Sequence, residues 1–273
     1  MMGITLGIDV GGSTTKIIGL RDGELIGAKQ VRAGDQMTAL FGAIGSFLRE
    51  CNTKLGDVSS IMLTGVGASF IGGESIYGIR TQKVNEFQAI GQGALCLSGL
   101  DEALVVSMGT GTAFVKAEKG IVTRIGGSGV GGGTILGLAS QMLRKSNVDA
   151  ILALAEGGEL ENVDLMVREI IGCEIPSLPS NLTASNFGKI KNTASESDLA
   201  LGIINMVFET VGMLAVFALR NEAMQDVVLT GTLATFPQAE GVFSQFSDLT
   251  GINFIIPEDA VFATALGAAL PLG

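Results

Sequence analysis

The sequence predicts a two-lobed α/β fold in which a β-meander followed by α/β units occurs twice. Three observations predict it. Segments 4–10, 14–20 and 24–31 are strand-like runs separated by glycine-containing turns at 11–13 and 21–23, an antiparallel meander. A second unit of strand, Gly turn and strand follows at 103–108 and 112–117. Between the two units the apolar spacing becomes helical, as in 36–50, where Met37, Leu40, Phe41, Ile44, Phe47 and Leu48 share a face.

The remaining elements follow in order. A strand at 59–64 ends in Gly65, and 86–98 reads as a helix. Another helix is expected after Gly131-Gly132-Gly133-Thr134, over 135–145, with further helices at 149–156, 162–171 and 198–222. Val227 to Leu229 form a short strand ending in Thr230-Gly231-Thr232, and 259–270 is an Ala-rich terminal helix. No Pro- and Ser-rich linker divides the chain. The lobes are expected at 1–90 and 91–273, with the last helix packing back on the first lobe.

Composition excludes several classes of function. A chain of 273 residues can bury a substantial core, and its 40 glycines are scattered among apolar runs as turns and close approaches. A net charge of −10 without any Lys or Arg cluster excludes a nucleic-acid surface, leaving small molecules or protein as partners. The chain has no histidine, and its three cysteines, Cys51, Cys96 and Cys173, lack C-x-x-C spacing, so zinc and Ser-His-Asp chemistry are out. There is no basic n-region, and Asp9 interrupts the first apolar run, so a cytoplasmic protein is expected. Segment 199–219 has 21 residues and a single charge, long enough to span a bilayer. Its Asn205 and Glu209, i and i+4 on one face, would be costly in lipid, and it lacks a basic flank. A buried helix at a domain or subunit interface, and no membrane, is the expectation.

The chemistry concentrates in glycine-rich turns. In Gly7-Ile8-Asp9-Val10-Gly11-Gly12-Ser13-Thr14-Thr15-Lys16 the two glycines let successive N–H groups converge on an anion. Asp9 stands where a Mg²⁺ and its waters would approach that anion. The spacing is neither a Walker loop nor the dinucleotide fingerprint. It matches D-x-G-G-[ST]-x-x-K, the first phosphate hairpin of the acetate kinase, sugar kinase, Hsp70 and actin superfamily. Ser107-Met108-Gly109-Thr110-Gly111-Thr112 ends a strand and is the natural second phosphate loop, though G-T-G-T suits a tight hairpin as well. Arg124 to Thr134 hold six glycines in eleven residues ahead of a helix, a loop expected to lie against a nucleotide with helix N–H groups facing phosphate. Thr232, in Thr230-Gly231-Thr232, is the adenosine-side candidate. Glu86 lies between the two hairpins and is the candidate base for a hydroxyl attacking phosphate, although a solvated helix N-terminus would also favour a glutamate there.

Together these segments resemble the type II pantothenate kinases of the actin-like superfamily. The resemblance rests on Asp9 to Lys16, Glu86-Phe87, V-S-M-G-T-G-T at 106–112, R-I-G-G-S-G-V-G-G-G-T at 124–134, L-T-A-S-N-F-G at 182–188 and A-L-G-A-A-L at 265–270. It implies a two-lobed actin-like (ribonuclease H-like) ATPase fold and transfer of the γ-phosphoryl of Mg-ATP to pantothenate, the first step of coenzyme A biosynthesis, with pantetheine as another acceptor. By similarity Glu86 is the base and Arg124 holds the acceptor hydroxyl region and the phosphoryl group. Asp9, Gly11, Gly12, Ser13, Thr14, Lys16, Gly109, Thr110, Gly111, Gly131, Gly132, Gly133, Thr134 and Thr232 form the ATP site, with Mg²⁺ reached by Asp9 through water. Family members are dimers built around long central helices, which implies a homodimer here. Val148 or its neighbours stand where relatives place an aromatic residue against adenine. The hairpin is also similar to that of the ATPase activators of 2-hydroxyacyl-CoA dehydratases, which the scattered cysteines fit poorly; a different class is a non-catalytic actin-like filament protein, which has no need of Glu86 and Arg124.

Overall fold

The apolar run at the N-terminus is a strand covered on both faces. In the computed structural model, which describes residues 3–32, 34–171 and 179–271, β1 (Ile4–Val10) turns Ile4, Leu6, Ile8 and Val10 into one core with Leu40, Ala43, Ile44 and Phe47 of α1 (Gln36–Glu50). Asp35 caps α1 by accepting the Thr38 N–H at 2.7 Å. The alternate face of β1 carries Gly7 and Asp9. A Cβ at Gly7 would run into the Ala265 carbonyl, so glycine lets the last helix lie directly on the strand.

Two sheets of matching order build the molecule. In the first, β2 (Thr14–Arg21) and β3 (Glu24–Arg32) flank β1 on one side, while β4 (Val58–Thr64), then β6 (Ile79–Lys83) and β5 (Ser75–Ile76), lie on the other. After α2 (Glu86–Ser98), the meander recurs as β7 (Glu102–Met108), β8 (Thr112–Glu118) and β9 (Ile121–Ser128). Then come α3 (Gly132–Met142), α4 (Val148–Ala155), the ribbon strands β10 (Leu165–Met166) and β11 (Thr183–Ser185), and α5 (Glu196–Leu219). β12 (Asp226–Thr230), α6 (Pro237–Thr250), β13 (Asn253–Ile255) and α7 (Ala263–Ala269) complete the chain. The second sheet runs β9-β8-β7-β12-β13, the counterpart of β3-β2-β1-β4-β6.

The repeat extends to individual residues. Leu63-Thr64-Gly65-Val66-Gly67-Ala68-Ser69-Phe70 after β4 corresponds to Leu229-Thr230-Gly231-Thr232-Leu233-Ala234-Thr235-Phe236 after β12. Gly65 and Gly231 both take positive φ, 88° and 87°, and both open a 3₁₀ turn. Ser69 Oγ donates to the Val66 carbonyl at 2.7 Å, and Thr235 Oγ1 does the same to Thr232 at 2.8 Å.

The two halves exchange helices. α7 packs on β1, β2 and β4 of the first sheet, and α2 packs on β7, β8 and β9 of the second. Where they cross, a Cβ on Gly93 would strike the Ala263 carbonyl and a Cβ on Gly267 would strike the Ala89 carbonyl, a reciprocal backbone contact.

Several expectations need correction. Segment 162–171 is not a helix: Leu160–Asn162 and Val167–Glu169 are 3₁₀ turns on either side of β10. Val167 and Arg168 donate their N–H groups to the carbonyls of Leu182 and Ser180 instead of to the preceding turn, at 2.8 and 3.0 Å. Residues 124–128 are strand, not loop, and α3 starts at Gly132 rather than at 135. The terminal helix is split, with a 3₁₀ turn at Ala260–Phe262 before α7. α6 had no counterpart among the predicted elements. Cys173 lies outside the described residues.

α5 is the apolar segment of bilayer length. It lies in the second core, where Ile203, Ile204, Val207, Phe208 and Val211 are buried against α3, α4 and α6. Its polar pair is satisfied by the L-T-A-S-N-F-G motif and its neighbour Asp164. Asn186 Nδ2 donates to Glu209 at 2.7 Å, Asn205 Nδ2 donates to Asp164 at 3.3 Å, and Asp164 also accepts the Phe187 N–H at 2.8 Å. Burial pushes both carboxyls up, and these hydrogen bonds partly reverse the shift.

Candidate active site

The loops at the ends of β1 and β7 meet across a cleft of about 710 Å³ between the two sheets. Ser13 Oγ lies 3.4 Å from Thr110 Oγ1, so the two hairpin tips touch. Asp9, Gly11, Gly12, Ser13, Thr14, Lys16, Glu86, Gly109, Thr110, Gly111, Arg124, Gly132, Gly133 and Thr232 all line this cavity. Gly131 and Thr134 do not. Gly131 backs against Thr110 and Gly111, and the Thr134 hydroxyl donates to the Gly129 carbonyl and accepts the Gly131 N–H, both at 3.1 Å. Their part is to shape the start of α3.

The expectation that helix N–H groups face phosphate is also corrected. Gly132 N–H donates to the Gly109 carbonyl at 2.9 Å and Gly133 N–H to the Thr110 carbonyl at 2.8 Å. The start of α3 therefore buttresses the second hairpin. The N–H groups of Gly12, Ser13, Thr110 and Gly111 donate to no acceptor among the described residues, and these hairpin tips are the anion donors the cleft offers.

Asp9 and Lys16 face each other as cross-strand partners, with Lys16 Nζ 3.3 Å from Asp9 Oδ2 and both side chains about nine-tenths buried. Among the described residues no group of three or more acids or cysteines gathers to hold a metal. One carboxylate beside a phosphate-binding hairpin fits a Mg²⁺ that keeps its waters and takes its other ligands from phosphate. Lys16→Met is expected to cost about 3 kcal/mol, because Asp9 is left charged and unpaired. Urea unfolding checks this, and adding Asp9→Asn should restore part of the loss.

Glu86 is the first residue of α2. Asn85 caps the helix, accepting the N–H groups of Phe87 and Gln88 at 3.0 and 3.2 Å, and so aims the first turn into the cleft. Burial pushes the Glu86 carboxyl up, Asp9 pushes it further, and Lys16 partly offsets them. Its proton affinity is thus above that of a solvated glutamate, as a general base requires.

Arg124 owes its direction to a β-bulge. Phe114 pairs with Gly126 and Val115 with Arg124, so Ile125 is an extra residue in β9. Relative to the Gly126–Ser128 floor of the cleft, that slip turns Arg124 to the face shared with Val115, the face that α2 covers. Val148, the position expected against adenine, does line the cleft, while sequence reading missed its other lining residues at the sides. Leu136, Val148, Leu233 and Phe236 form an apolar end beside Thr232, and Val66, Gln30 and Arg32 lie by the first hairpin. The recurrence of L-T-G-x-x-A-[ST]-F was the signal that could have placed Val66 and Phe236.

Paired sheets, converging hairpins and exchanged helices define the two-lobed actin-like ATPase fold. A solved structure with this fold is the activator of the 2-hydroxyisocaproyl-CoA dehydratase from Clostridium difficile with bound ADPNP, which superposes with a TM-score of 0.68 at 15% identity, covering 97% of this chain and 92% of that one. Within this class the chain belongs to the Fumble family, whose profile matches residues 102–240. It is similar to the type II pantothenate kinase of Bacillus cereus (strain G9842), 26% identical over 275 residues and covering 97% of both chains. The type II pantothenate kinase of Staphylococcus haemolyticus (strain JCSC1435) is 29% identical over 273 residues, covering 96% of this chain and 98% of that protein.

Proposed function

We propose that this protein is an ATP-dependent kinase that phosphorylates the primary hydroxyl of pantothenate, the first step of coenzyme A biosynthesis. The observation that carries the reading is the position of Glu86, a half-buried carboxyl in electrostatic contact with Asp9 and Lys16 inside the cleft where the two hairpins meet. Full-length similarity to type II pantothenate kinases supplies the acceptor.

In the proposed reaction the acceptor oxygen forms a bond to the γ-phosphorus as the bond to the β–γ bridging oxygen breaks. The hydroxyl proton passes to Glu86, and ADP leaves with the bridging oxygen. The N–H groups of Gly12, Ser13, Thr110 and Gly111 hold phosphate oxygens, and Arg124 faces the charge that spreads over the transferring group. Mg²⁺, when bound beside Asp9, neutralises phosphate charge. The adenosine end is assigned to Thr232 and the apolar wall of Val148, Leu136 and Phe236. Met213, Leu214 and Phe217 are exposed on α5, which supports a homodimer formed through this helix.

A coupled ADP-release assay with Mg-ATP tests the reading. ADP formation that requires pantothenate is the expected result, and pantetheine run in parallel reports how far the acceptor site discriminates. Release independent of either acceptor, or none with nucleotide bound, would sink the kinase assignment.

A further inference from the structure

We propose that Phe87 is a positioning residue that holds the Arg124 guanidinium over the cleft, and so fixes it relative to Glu86. The inference rests on the kinase reading above. Arg124 Cζ sits 5.2 Å from the centroid of the Phe87 ring, within the range of a cation–π contact. Among the described residues no carboxylate lies within 4.0 Å of the Arg124 guanidinium, and its side chain donates to no protein acceptor, so the ring face is the anchor the structure provides. Phe87 itself is well fixed. It packs against the cluster of Ile90, Ala94, Val105 and Val115, and Asn85 holds its N–H.

The arrangement has a chemical logic. A carboxylate partner would pin Arg124 equally well, but it would neutralise the charge that a transferring phosphoryl group requires. A ring quadrupole orients the guanidinium while leaving its N–H fork unspent. Phe87 directly follows Glu86 in the first turn of α2, so one capped turn carries both the base and the anchor for the cation. The bulge at Ile125 brings Arg124 to the same face from the second sheet. Base and cation thus reach the acceptor in a fixed relation, although they come from opposite halves of the molecule.

The test compares Phe87→Leu, Phe87→Tyr and Arg124→Met in the full chain, by NMR and by steady-state kinetics. In the wild type and in Phe87→Tyr, the Arg124 δ-methylene and Nε–H resonances are expected upfield, under the ring current. In Phe87→Leu they should return to ordinary arginine positions. For the acceptor, kcat/KM should fall roughly 3- to 30-fold in Phe87→Leu and recover in Phe87→Tyr, with the KM for ATP unchanged. In the Arg124→Met background, Phe87→Leu should have no further effect. Resonances that do not move in Phe87→Leu, or penalties that simply add in the double variant, would overturn the proposal. Should the leucine variant fail to fold, Arg124→Met reads the same contact from the other side, through a shift of the Phe87 ring resonances. A wild type without acceptor-dependent turnover counts against the kinase reading alone, since the resonances still decide whether Phe87 holds Arg124.

Discussion

Glu86→Gln is expected to slow acceptor-dependent ADP release by about 10²- to 10⁴-fold while leaving nucleotide binding intact. Glutamine keeps the size and the hydrogen-bonding reach of the side chain but cannot take the hydroxyl proton. The same substitution is expected to raise the melting temperature at neutral pH. Because burial and Asp9 raise the Glu86 carboxyl in the folded state, the unfolded chain loses this proton at a lower pH than the native one. Native protein therefore binds more protons between the two values, and stability falls as pH rises through them. The destabilisation is fully present above the raised value, which is where the enzyme needs an ionised base, and the uncharged amide removes it. Two measurements follow. The acidic limb of kcat/KM against pH should titrate above the ordinary glutamate range in the wild type. The melting-temperature difference between wild type and Glu86→Gln should vanish as the pH drops below that range. Full activity in Glu86→Gln would remove this residue from the chemistry.

Gly93→Ala is expected to cost about 3 kcal/mol or more, and Gly267→Ala a similar amount. At each site the new methyl group would meet a backbone carbonyl of the facing helix, Ala263 or Ala89, which no rotamer change can move aside. Relief requires α2 and α7 to separate, which would also shift Glu86 and loosen the contact between the halves. Gly45→Ala, at an exposed position of α1 with open space around the new methyl, is the control. There the substitution should gain about 1 kcal/mol through helix propensity. Chemical denaturation of the three variants checks the contrast, and equal effects at all three positions would mean that the helix crossing is not closely packed.

Much of the fold was legible because its signals are local. α2 spans Glu86–Ser98 as its pattern predicted, with Asn85 as cap and Gly99 in the left-handed region at its end. The first hairpin could be read because its signals are contiguous: Asp9 and Lys16 flank the turn, and a Cβ at Gly11 would crowd the Thr14 carbonyl. Asp9, Lys16, Glu86, Thr110 and Arg124 do line one cleft. Segment 162–171 was misread because its apolar spacing is helical while its backbone partners lie at 180–182, in the turn that leads into β11, which the local pattern does not reveal. The glycine-rich stretch after Arg124 was misread for a related reason. Composition speaks for backbone freedom, yet Gly126 and Gly127 are held in a strand by pairing with Phe114 and Ala113.

By itself, then, the sequence determined the repeated α/β architecture, the two hairpins and the residue types that phosphate chemistry demands, because each of these rests on contacts within a few residues. Tertiary structure alone decided which helix covers which sheet, where the N–H groups of Gly132 and Gly133 go, and which way Arg124 faces. Those outcomes depend on partners more than twenty residues away in the chain and on a single bulged residue. No local preference encodes such choices; they are settled when backbone donors and apolar faces compete for partners in the packed molecule.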